Sequence, residues 1–483
     1  MTIALPWLMA LPAAGALGVM ALGRWPNLRD GLSVVTAVLL FAAVCSWLGQ
    51  VLDGARPAIT LIQILPGLSL SLALEPLGLL FALVASGLWI VTAIYAIGYM
   101  RGNDEHNQTR FFACFALALA AAMGIALAGN LLTLFLFYEM LTLSTYPLVA
   151  HKGNDDARAG GRTYLGVLLT TSIGLLLPAI ILTWVVAGTL DFTPGGILQG
   201  HIAPAAAAGL FALYLFGTGK AALMPFHRWL PAAMVAPTPV SALLHAVAVV
   251  KAGVFAVLKI TVYVFGIDFA GAGDFTTPMM WVAAFTILAA SVVALTRDNL
   301  KARLAYSTIG QLAYIVLGAT LANGMAIAGG ATHIVMHAFG KITLFFCAGA
   351  IYTAVHRTRV SELDGLGRVM PFTMGAFLVA SLSIIGLPPL GGAWSKWALM
   401  VGAADAGQLL MIAVLAISSL LNIVYLLDIP ARAFFRPGTD LPAGRQEAPL
   451  ACVVPLCVTA AGSVVLFFVG GHILQLLAPV TGS

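Results

Sequence analysis

Fourteen apolar stretches of about 20 residues divide this chain, at 3–22, 31–51, 74–99, 111–128, 130–150, 163–188, 205–229, 239–266, 278–296, 302–322, 327–354, 371–402, 407–430 and 450–476. Each is long enough to cross a hydrocarbon core of roughly 30 Å as a helix. The pattern predicts an all-α polytopic membrane protein of about fourteen transmembrane helices. So many repeated spans make the first one a retained helix rather than a cleaved signal. The seventh and twelfth carry prolines and glycines near their middles, Pro225 in one and Pro388 and Pro389 in the other. Both are expected to be discontinuous.

Composition agrees: 61% of residues are hydrophobic and only 8% charged, against roughly 25% charged in soluble domains. The net charge of +5 is scattered between spans, with no basic run or aromatic platform, so no nucleic-acid partner is expected. The five cysteines lie in apolar stretches without C-x-x-C spacing and imply neither disulfides nor a cluster.

Charge also orients the spans. Seventeen of the 23 lysines and arginines, from Arg24 to Arg445, fall in odd-numbered loops, and only Arg56 falls in an even one. Basic loops face the cytoplasm, so both termini are expected on the outer side of a prokaryotic cytoplasmic membrane.

The five remaining basic residues, Lys220, Lys251, Lys259, Lys341 and Lys396, all lie within spans, and all are lysines. Arginine cannot release its proton under physiological conditions, while a buried lysine can. Each costs about 2.5–3.5 kcal/mol at a helix centre on insertion scales. Five such charges imply a polar path inside the protein that loads and unloads protons. The alternative for each is snorkelling to the headgroups, and Lys259 suits that role as readily as a functional one. Among the acids only Glu139 lies well inside a span, in NLLTLFLFYEMLTLSTYP; it could pair with an ammonium or be a packed, protonated carboxyl. Glu75 and Asp428 sit at span ends and are expected to face water or headgroups.

In ATHIVMHAFGKITLFF, His333, His337 and Lys341 recur every four residues and share one helical face, about 6 Å apart along the axis. Water-bridged proton relay fits this stripe, since histidine titrates near neutral pH. A zinc site is the rival reading, and packing histidines a third; with no third ligand near in sequence, no metal is expected. His245 is a further candidate.

In FGTGKAALMPFHRWLP and SIIGLPPLGGAWSKW a lysine stands beside each helix break, where free carbonyls can stabilise an ammonium. Breaks at corresponding places suggest two inverted five-helix units, 111–266 (helices 4–8) and 278–430 (helices 9–13), flanked by helices 1–3 in 1–110 and a last helix at 450–476.

At these residues the chain resembles the antiporter-like membrane subunits shared by Mrp-type Na+/H+ antiporters, respiratory complex I and membrane-bound hydrogenases. The resemblance covers about residues 70 to 430 and is most specific in KAALMPFHRWLPAAMVAPTPVSALLHAVAVVKAG, the helix 11 stripe and GLPPLGGAWSK. It implies that Glu139 and Lys220 form a switchable pair. Lys251 would pass a proton laterally toward His333, His337 and Lys341, and Lys396 would link to the outward exit. It further implies partner membrane subunits, with H+ and Na+ as transported ions. Length and Lys396 resemble the D-type Mrp subunit, while SALLHAVAVVKAG is more similar to larger relatives. The function expected is a proton-translocating subunit of a multi-subunit monovalent cation/H+ antiporter. The alternatives are a pumping subunit of a redox complex, or an accessory subunit energising inorganic-carbon uptake. No cofactor motif occurs, so the chain itself is not expected to be an enzyme.

Overall fold

The computed structural model describes residues 4–482 apart from 244, 245, 247, 439, 440, 442 and 443; His245 therefore lies outside the described residues. Among those described, ten helices are long and apolar enough to cross a membrane, including Pro76–Gly102, Leu131–Val149, Leu300–Leu321, Gly324–Val355 and Leu409–Phe435. The other expected spans fall on shorter helices: Trp7–Ala21, Pro204–Gly217, Thr238–Ala242 with Val249–Ile260, and Pro371–Ile385 with Gly392–Asp405. The helix Gly324–Val355, with its two histidines, is buried along most of its length and forms the centre of the molecule.

Local chemistry sets where helices begin. Asn130, Asn154, Asn299 and Asn323 each accept a hydrogen bond from the backbone N–H three residues on, satisfying a donor the helix cannot pair internally. Both anticipated breaks are present. Helix Pro204–Gly217 stops, a single turn Gly219–Ala221 carries Lys220, and a short helix resumes at Trp229. Pro371–Ile385 likewise gives way to Gly392–Asp405, with Pro388 and Pro389 between them.

The structure corrects the reading in two places. First, the fold is not purely helical: Ala58–Leu65 and Leu68–Ala73 pair as an antiparallel hairpin in what reads as a loop. The hairpin's second strand is tied to the membrane helices through Ser71, whose N–H donates to Thr133 and whose hydroxyl accepts from Asn130.

Second, Lys259 does not reach out to the headgroups. Lys259 is buried and its ammonium lies 3.1 Å from the Glu75 carboxylate, donating also to the Ala128 carbonyl at 2.8 Å. Glu75 in turn caps Pro76–Gly102 by accepting from the N–H groups of Leu77 and Gly78, and it accepts a bond from the Tyr263 hydroxyl. One carboxylate therefore fastens the start of one helix to the end of another. Every charged group of the clamp has its partners within the fold, and the pair borders a cavity of about 500 Å³.

Because breaking one half of a buried pair leaves the other charge uncompensated, Lys259→Ala is expected to cost about 3 kcal/mol. The melting temperature of the detergent-solubilised protein should fall, and Glu75→Gln combined with Lys259→Met should recover much of the loss. An unchanged melting temperature in Lys259→Ala would show that the clamp contributes nothing.

Candidate functional site

The five lysines are 0–4% exposed, and none of them snorkels out of the protein. What each ammonium touches separates their roles. Lys220, on its isolated turn, donates to the Tyr138 carbonyl at 2.8 Å and the Thr142 hydroxyl at 2.6 Å, and sits 3.2 Å from the centre of the Tyr138 ring. Its own N–H donates to the Tyr138 hydroxyl, and the Trp229 indole donates to the Gly219 carbonyl. The turn is thus held by two aromatic side chains. Its ammonium is satisfied by a neighbouring helix, not by carbonyls freed at its own break as the sequence suggests.

Glu139 follows Tyr138 on that same helix, yet no ion pair joins it to Lys220. Both of its carboxyl oxygens are buried, and among the described residues neither has a hydrogen-bond partner. A buried carboxyl left this way costs free energy. Its neighbours one turn away, Leu136 and Leu143, are exposed, so the carboxyl lies close beneath an exposed apolar face of the chain.

Lys251 is two residues from Gly253, and a side chain at Gly253 would run into the backbone of Lys220 and Ala221. Only glycine lets helix Val249–Ile260 press against the Lys220 turn. The Lys251 ammonium lies 2.5 Å from His337 Nδ1. From there the His337 and His333 rings are 5.6 Å apart, and His333 Nδ1 lies 2.8 Å from the hydroxyl of Ser395, the residue before Lys396. The two histidines of the predicted stripe therefore lie between Lys251 and Ser395.

Lys341, the third member of the stripe, points elsewhere. Its ammonium donates to the Ser307 hydroxyl at 2.6 Å and the Leu304 carbonyl at 3.3 Å, both on Leu300–Leu321. Lys396 does what the break suggests: it donates at 2.9 Å to the carbonyl of Ile385, the last residue of the interrupted helix, and at 2.9 Å to Ser419. It lines a crevice of about 570 Å³ together with Trp397, Leu420 and Phe467. Asp428, at its span end, pairs with Arg303 and Arg432.

Four groups that the lysines and histidines touch escape sequence reasoning. Thr142, Ser307 and Ser395 are hydroxyls on apolar helices, where serine and threonine more often bond their own backbone. Nothing in their spacing marks them. Tyr314 stacks on His333 at 5.5 Å and holds the Lys396 ammonium 5.1 Å from its ring centre; its offset from the other functional residues follows no single helical period.

A family profile described as NADH:quinone oxidoreductase/Mrp antiporter, TM, matches residues 128–422, well over half the chain and all of the site. The chain is 35% identical over 418 residues to NADH-quinone oxidoreductase subunit N of Desulforudis audaxviator, covering 83% of this chain and 82% of that one. It is 31% identical over 501 residues to NADH-quinone oxidoreductase subunit L of Mycobacterium tuberculosis, covering 99% and 77%. It is also 31% identical over 404 residues to a probable K(+)/H(+) antiporter protein of Rhizobium meliloti, covering 81% of this chain and 39% of that one. In fold it matches a chain of the Mrp complex from Dietzia sp. DQ12-45-1b with a TM-score of 0.89 at 24% identity, covering 99% of this chain and 96% of the other. A chain of an archaeal membrane-bound sulfane sulfur reductase matches with a TM-score of 0.87, also at 24% identity and covering 99% and 97%. The chain belongs to the NADH:quinone oxidoreductase/Mrp antiporter family of membrane subunits, proton-antiporter-like components of multi-subunit complexes.

Proposed function

We propose that this chain is the proton-translocating subunit of a multi-subunit monovalent cation (Na+)/H+ antiporter in a prokaryotic cytoplasmic membrane, with both termini outward. The observation that carries the reading is the contact between Lys251 and His337, followed by His333 on Ser395, the residue before Lys396. An ammonium at 2.5 Å from an imidazole nitrogen is a donor–acceptor pair that can exchange a proton in place. A purely structural cation needs no such partner.

In this mechanism Glu139 and Lys220 are the switch. When the carboxylate approaches, Lys220 keeps its proton; when it withdraws, the ammonium loses its counter-charge and the proton moves to Lys251. The present arrangement, with Lys220 on Tyr138 and Thr142 and Glu139 unbonded, fits the open position. The proton then passes along His337 and His333 to Lys396 and leaves by an outward exit, with Lys341 as a side station of the relay. Units 111–266 and 278–430 would act as two inverted halves, each contributing one broken helix. Because Glu139 borders an exposed face, a neighbouring protein of the complex can push the switch from outside.

A second reading, a pumping subunit of a redox-driven complex, is favoured by the names of the two oxidoreductase relatives above. Purification with the native partners separates the two. Cation-dependent ΔpH in vesicles supports the first, and quinone-dependent proton movement without a cation requirement supports the second.

Lys220→Ala and Glu139→Ala should each abolish coupled transport in such vesicles while the complex still assembles; full activity in both would remove the pair from the mechanism. Gly253→Val should behave like Lys220→Ala in transport, because the added side chain pushes the Lys220 turn off Val249–Ile260. Wild-type transport in Gly253→Val would mean the two lysines need not be held together.

A further inference from the structure

The histidine route starts at Lys251; a separate set of polar side chains lies between Lys341 and Lys396. Helix Leu409–Phe435 turns Ser418, Asn422 and Tyr425 inward, one or two turns apart, and all three are buried. At one end the Tyr425 hydroxyl donates at 3.0 Å to Ser307 Oγ, the same atom that accepts from Lys341. The single Tyr425 proton can turn instead to the Asn422 side-chain oxygen. At the other end Ser419 accepts from Lys396, while Ser418 lies 3.2 Å from Ser291.

Tyr314 fills the middle. Its hydroxyl donates to the Leu415 carbonyl, and the side chains around that hydroxyl are Ser418, Ser419, Gln311 and Asn422. Among the described residues, Asn422 Nδ2 and Gln311 Oε1 are buried without hydrogen-bond partners. One leftover donor and one leftover acceptor beside the same hydroxyl make a seat for a bridging water. The turn between Asn422 and Ser418 spans about 6 Å along the axis, a distance that such a water or the Tyr314 hydroxyl covers.

We propose that this face is a second proton wire between Lys341 and Lys396, running beside the histidines through Ser307, Tyr425, Tyr314 and Ser419. The inference rests on the proton-transfer reading above. Each hydroxyl passes its own proton forward as it accepts the incoming one. The net change is one proton lost by Lys341 and one gained by Lys396, with every hydroxyl regenerated. Asn422 and Gln311 carry no proton and act as positioning residues. The wire gives Lys341, which points away from the histidines, a role as a junction, and it makes the histidine path one of two.

The test is proton transport in vesicles containing the complex purified with its partner subunits, comparing Tyr425→Phe, His333→Leu and the double variant. Two wires in parallel predict that each single variant keeps part of the wild-type rate and that the double falls to background. A double no slower than the slower single variant overturns the proposal, and so does complete loss in His333→Leu alone. Ser419→Ala, at the far end, should reproduce Tyr425→Phe in the His333→Leu background without lowering the melting temperature of the complex; a lowered melting temperature with no added transport loss would show a packing role and count against the wire. If Tyr425→Phe does not assemble, Ser307→Ala replaces it, with the same outcomes deciding. Lys220→Ala in the same vesicles keeps the two levels apart. Normal transport there sinks the proton-transfer reading itself, whereas its loss, with a double no worse than one single, sinks the second wire alone.

Discussion

An ammonium group inside a membrane protein must find oxygen or nitrogen lone pairs, because hydrocarbon offers none and the insertion cost is several kcal/mol per charge. That constraint organises the molecule. Regular helices spend their carbonyls internally, so the available acceptors are carbonyls at helix ends and breaks, hydroxyls, imidazoles and carboxylates. Each buried lysine here occupies one of those places: Lys396 on the end of Pro371–Ile385, Lys220 on Tyr138 and Thr142, Lys251 on His337, Lys341 on Ser307, and Lys259 on Glu75.

The type of acceptor divides structure from transport. Lys259 has a full-time carboxylate and a carbonyl, and Glu75 is itself bound to two backbone N–H groups and a tyrosine. Such a pair holds the Lys259 proton firmly while the carboxylate stays in place. The other four lysines rest on neutral groups, which favour the ammonium less strongly than a carboxylate does. A lysine without a bonded counter-charge is the one whose proton can be moved by a charge arriving or leaving nearby. In the proposed mechanism that charge is Glu139, whose carboxyl oxygens are buried and unbonded one residue from the Lys220 acceptor.

The helix breaks serve this purpose differently in the two halves. At Lys396 the break supplies the acceptor directly. At Lys220 it supplies a free turn, clamped by Trp229 and Tyr138 and admitted close to Val249–Ile260 by Gly253. A side chain on a single turn needs outside support to hold its geometry, and the aromatic contacts provide it.

Much of this was legible from residue order alone. Span length is a one-dimensional quantity, so a polytopic helical membrane protein follows from it, and the isolated polar residues within apolar stretches single out Lys220, Lys251, Lys341, Lys396, His333, His337 and Glu139 as candidates by their cost. The stripe of His333 and His337 follows from helical period. Tertiary structure alone decided who meets whom. Glu75 and Lys259 are far apart in sequence; Glu75 looks ordinary at a span end, and nothing in residue order pairs it with Lys259. Thr142, Ser307, Ser395, Tyr314 and Tyr425 are neutral and cheap to bury, so the sequence gives no energetic signal for them. A charge in a membrane announces itself by its penalty, but the neutral hydroxyl that relieves that penalty becomes visible only when two helices pack and place it within hydrogen-bonding reach.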